Sequence, residues 1–108
     1  MKLDKDQATV HAMLNGWALV TYQTDFDGAP GYGFHSQDRH EWIRTQSASM
    51  PITRATIQSR HMTEVSPDTV PEAIFWRLFN RLLLLELVPK IPKYRNPDRS
   101  CGFDDEYI

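Results

Sequence analysis

The chain has 108 residues, 41% of them hydrophobic and 24% charged, with a formal net charge of −2. This is a globular composition, which excludes a disordered chain, and the length suits one domain with a real core rather than two. The single cysteine, Cys101, excludes an internal disulfide, and the longest apolar block, Leu82 to Val88 with Glu86 inside it, falls far short of the roughly 20 residues of a membrane-spanning helix.

No apolar run follows Met1-Lys2-Leu3-Asp4-Lys5-Asp6, so no signal peptide is expected, and the expected setting is the cytoplasm. Asp4 or Asp6 can cap a first helix running to about Leu14, with Ala8, Ala12, Met13 and Leu14 as its short apolar face, and Asn15-Gly16 is a helix stop. Trp17 to Thr24 then reads as a strand, with Trp17, Leu19 and Thr21 on one side and Ala18, Val20 and Tyr22 on the other. Apolar residues on both sides predict an inner strand. Asp25 to Gly33 is rich in turn residues and predicts an exposed hairpin connection. A second strand is expected near Tyr32–His35 and a third near Glu41–Thr45.

Ile52 to Val65 fits two periods. Alternation groups Thr53, Ala55, Ile57, Ser59 and His61, whereas helical spacing groups Ile52, Ala55, Ser59 and Met62. The threonines and β-branched isoleucines tilt the reading to strand. Pro71 to Val88 predicts a long helix, with Val70 as its cap and Pro71 as its first residue. Ile74, Leu78, Leu82 and Leu85 form one stripe, flanked by Phe75, Trp76 and Phe79. Arg77, Asn80 and Arg81 make the wet side, which Leu84 and Val88 continue as apolar residues. Pro89 should end the helix, and residues 89–108 should form an extended tail with further prolines at 92 and 97. The expected fold is one α+β domain: a short N-terminal helix, an antiparallel sheet of three or four strands, and the long helix packed against it. A winged-helix plan is the alternative, and it requires Ile52–Met62 to be helical.

No chemistry-bearing motif emerges. His11, His35, His40 and His61 have no metal-ligand spacing, even with Glu41 beside His40. Asp25 and Asp27 lack the further oxygens of a calcium loop, and Gly28, Gly31 and Gly33 match no phosphate-cradling pattern. Cys101 sits in RNPDRSCGFDD, a poor setting for an oriented thiolate. No catalytic, cofactor or metal residue is therefore expected; an enzyme using His40, Glu41 or Asp25 is the weakest of three readings.

Charge is unevenly spread. Residues 1–38 sum to −3, residues 39–99 to +4, with ten Arg or Lys against six acids, and residues 100–108 to −3. Three Trp, five Phe and four Tyr exceed what one small core needs, and aromatics with arginine are what protein interfaces concentrate. The expected function is a small non-enzymatic module that occupies the surface of a protein partner. Phage or mobile-element accessory proteins that inhibit a host enzyme or defence system are of this kind. The expected contact residues are Trp76, Arg77, Arg81, Leu84 and Val88 on the helix, with Lys90, Lys93, Tyr94, Arg95 and Arg99 after it. A homodimer through Leu84 and Val88 is a second expectation. The rival is a nucleic-acid-binding regulator that tracks phosphates with the basic middle and tail and stacks a base on Tyr94.

Overall fold

Asp4 opens the first helix, α1 (Lys5–Leu14), through a capping box. Its carboxylate accepts from the Gln7 backbone N–H at 2.8 Å, and the Gln7 amide oxygen accepts from the Asp4 N–H at 3.0 Å. The computed structural model describes residues 3–24, 29–56 and 61–90. At the far end of α1, Gly16 takes φ +88°, and the N–H groups of Gly16 and Trp17 reach back to the Met13 and Ala12 carbonyls. This is the Schellman arrangement, for which glycine has the right backbone freedom. Ala8 and Ala12 face the core as expected, but Met13 and Leu14, expected on the same face, point out with Val10, because the last turn of the helix runs past the core.

The sheet has five strands rather than three or four. They are β1 (Ala18–Gln23), β2 (Pro30–Ser36), β3 (Glu41–Thr45), β4 (Thr53–Thr56) and β5 (Met62–Glu64), all antiparallel, in the order β4-β3-β2-β1-β5. The span read as one strand over 52–65 thus supplies two short strands on opposite edges. Its described parts are extended, so the helical option, and the winged-helix plan that needs it, do not hold. β1 is an inner strand, as its two apolar faces predict. β2 starts at Pro30 and takes in Gly31, which the sequence reading put in the turn, and Gly33, where the expected turn and the expected strand overlapped. The glycines are needed for close approach. A Cβ at Gly31 would enter the Tyr22 ring, and one at Gly33 would meet the Ile43 carbonyl oxygen.

Leu19, Phe34 and Ile43 lie opposite one another in register and face the helices. Against them α2 (Glu72–Leu84) buries Ile74, Phe75, Leu78, Phe79, Leu82 and Leu83. Phe75 sits edge-on to Phe34 at 6.0 Å between ring centroids and stacks with Phe79 at 6.2 Å. Each ring so buried contributes about 1.5–3 kcal/mol of transfer free energy. Val20, Tyr22 and Trp42 point to the opposite face of the sheet and are also buried. There the Arg44 guanidinium lies 4.8 Å from the Trp42 ring centroid and 5.7 Å from that of Tyr22.

α2 is shorter at both ends than the sequence predicts. Pro71, not Val70, is its cap, because the Val70 side chain is buried in the core and its carbonyl accepts from Lys5 Nζ at 2.7 Å. At the C-terminus Leu85 caps the helix and Glu86 turns left-handed at φ +58°. The Glu86 N–H then reaches the Leu83 carbonyl at 3.0 Å and the Leu87 N–H the Leu82 carbonyl at 2.9 Å. This second Schellman turn sends Leu87 and Val88 into the core, at 7% and 2% exposure. Val88 therefore does not continue the Arg77–Arg81 face.

Candidate partner-binding cleft

Three chain reversals meet beside the C-terminal end of α2. The turn after α1 brings Asn15, the β2–β3 turn brings Arg39, and the turn-back after α2 brings Glu86 to Lys90. Between them lies an open cleft of about 710 Å³. Its base is aliphatic, because Leu83, Leu87 and Val88 belong to the core and only their outer atoms reach the cleft. Its edges are exposed: Asn15, Arg39, Glu86, Pro89, Lys90 and Leu84. Leu84 is 58% exposed, the one large apolar side chain of α2 that is exposed among the described residues.

The wall formed by Pro89 and Lys90 is held from α1. His11 Nε2 donates a hydrogen bond to the Pro89 carbonyl oxygen at 2.8 Å, and the imidazole packs edge-on to Phe79 at 6.3 Å. Asn15 Nδ2 in turn donates to the His11 carbonyl at 2.9 Å. One turn of helix therefore positions both a cleft residue and the wall opposite it. The charges at the edges are unmatched. Ion pairs among the described residues join Lys5 to Glu72 at 3.7 Å and Arg54 to Glu41 at 3.1 Å, and neither Arg39, Glu86 nor Lys90 takes part in one.

The cleft gathers Leu84, Val88 and Lys90 from the expected contact residues, with Val88 in its base rather than on an open helix face. Three others lie elsewhere on α2. Trp76 is half-buried, edge-on to Phe75 and Phe79, and its Nε1 donates to Glu72 at 2.9 Å. Arg77 is half-buried and is committed to the chain itself. Its Nη1 donates to the Ser47 carbonyl at 3.0 Å and the Ala48 carbonyl at 2.7 Å, holding the β3–β4 loop. Arg81 is half-buried and outside the cleft. Lys93, Tyr94, Arg95 and Arg99, like Cys101 and the Asp25–Asp27 pair, lie outside the described residues.

Sequence reasoning missed Arg39, Asn15 and Glu86 as cleft residues. Asn15 was read only as part of a helix stop, and the position of Arg39 depends on a turn whose neighbours are distant in sequence. Half of the twelve aromatic residues are buried within the fold. Trp17, Phe34, Phe75 and Phe79 fill the helix side of the sheet, and Tyr22 and Trp42 are buried on the other, so both faces consume rings. Among the described residues no group of three or more His, Cys, Asp or Glu side chains is placed to hold a metal ion, and no helix is long and apolar enough to cross a membrane. His40 and His61 are exposed, and Glu41 is engaged with Arg54 in a bidentate pair. Comparisons with protein-family models, with curated proteins and with solved structures find no match to this chain.

Proposed function

We propose that this chain is a small non-enzymatic binding module that acts by occupying the surface of a protein partner, with the cleft at the end of α2 as its contact point. The observation that carries this reading is the pairing of an exposed leucine, Leu84, with two cations, Arg39 and Lys90, that have no ion pair among the described residues, around one concave aliphatic site. Protein interfaces combine an apolar centre with a polar edge in this way. The reading takes a different protein as the partner rather than a second copy, because burial of Val88 removes one of the two residues on which the expected homodimer contact rested. Light scattering of the purified chain should therefore give a monomer.

The test is capture of partners from the native host by the full chain, with mass spectrometry, with and without nuclease. A protein that survives nuclease and is lost with Leu84→Glu supports the module. Recovery of nucleic acid alone contradicts it and favours the phosphate-tracking rival.

A further inference from the structure

We infer that the cleft takes an acidic peptide segment of the partner, one whose carboxylates flank an apolar anchor side chain. The inference rests on the binding-module reading and names what that module recognises. The anchor follows from Leu84, which stands exposed at the edge of the cleft, where Leu83, Leu87 and Val88 close the base as core residues. The cleft is open, and its volume of about 710 Å³ leaves room for an anchor side chain of the partner beside Leu84.

The acidic character follows from charge. Arg39 and Lys90 come from separate parts of the chain and face one acid, Glu86, among the cleft residues. Asp38 lies outside the cleft lining, near Gly16. A basic or neutral segment would leave these cations uncompensated, whereas carboxylates would match them and speed association.

The same cations could meet phosphates, but the lining argues against nucleic acid. Single-stranded nucleic acid is held by bases stacked on aromatic side chains. Among the described residues the cleft lining has no aromatic side chain: besides Asn15, Arg39, Glu86 and Lys90 it is leucine, valine and proline.

The test pans a displayed library of random dodecapeptides against the full chain, with Arg39→Gln/Lys90→Gln/Leu84→Ser as the counter-target. All three positions are exposed, so the variant should keep the wild-type melting curve, which is measured first. The enriched peptides should carry Asp or Glu within a few residues of Leu, Ile or Phe. Each exposed ion pair contributes a few-fold at most, so loss of both cations should weaken these peptides by ~10-fold and flatten their salt dependence. Leu84→Ser alone should raise the dissociation rate. The inference is overturned if nothing is enriched, if the winners are neutral or basic, or if acidic winners bind the variant equally well. It is also overturned if single-stranded oligothymidine binds more tightly than any winner and is lost with Arg39→Gln/Lys90→Gln. The outcome of host capture separates the two levels. A protein partner retained by the triple variant leaves the module standing and removes the cleft. Absence of any protein partner removes the module itself.

Discussion

Glu86 and Gly16 stand at the same place in two copies of one backbone motif, and only one of them suits it. Both follow a helix cap, both have positive φ, and both donate to the carbonyl three residues back. Gly16 adopts this conformation without steric cost, while a side chain there costs on the order of 1–2 kcal/mol, partly offset by the greater freedom glycine has when unfolded. Glu86→Gly should therefore stabilise the chain by about 0.5–1 kcal/mol, read as a rise in the denaturation midpoint with an unchanged slope. An unchanged or lower midpoint would show that the Glu86 side chain is held by contacts that outweigh its backbone. Phe79 tests the core at the same scale. It is fully buried against Phe75, Trp76 and His11. Phe79→Ala should cost ~3–5 kcal/mol, enough to unfold many domains of this size at equilibrium. A midpoint equal to wild type would contradict the assignment of this helix face.

Among the elements, those with local chemical signals were legible and those completed by distant partners were not. Asp4 and Gly16 mark the two ends of α1 in the sequence, and the two apolar faces of Trp17–Thr24 mark an inner strand. The end of α2 carries no such mark. Leucines at 82 to 85 favour continued helix, and the chain turns back because Leu87 and Val88 find core to fill. The 52–65 span was ambiguous because edge strands bury little: Thr53, Arg54 and Thr56 are exposed, so no clean alternation develops. The β2 glycines were read as turn residues because their reason, the Tyr22 ring and the Ile43 carbonyl, lies on neighbouring strands. Gly33→Ala should therefore destabilise by about 1–3 kcal/mol, since backbone rather than a flexible side chain must move. A melting temperature within error of wild type would mean that β2 and β3 can separate without penalty. Arg77 shows the same limit for function. It was expected at the interface, and two backbone carbonyls of the β3–β4 loop occupy it. Arg77→Met, which keeps the stem and removes the donors, should accelerate amide exchange over residues 47–50 while leaving partner affinity within about twofold. A large loss of affinity with unchanged exchange would return Arg77 to the interface.

At the scale of the whole molecule, one side of the sheet holds two helices and their shared core, and the reversals at the end of that core build the cleft. The α+β class and the central part played by the long helix were legible from periodicity alone. The cleft was legible only in part, through Leu84 and Lys90, because it is made where α1, the β2–β3 turn and the end of α2 converge, which no local pattern encodes. The central claim is that this convergence is where a protein partner sits. The most direct measurement is photocrosslinking from position 84. A benzophenone amino acid replaces Leu84 in the full chain, or Thr53 on the exposed edge strand β4 as a control, and the protein is irradiated in extract of the native host. The account predicts a discrete nuclease-resistant protein adduct from position 84, absent from position 53. It should be competed away by unlabelled wild-type chain and poorly by Arg39→Gln/Lys90→Gln. A nuclease-sensitive adduct, or the same products from both positions, would contradict it.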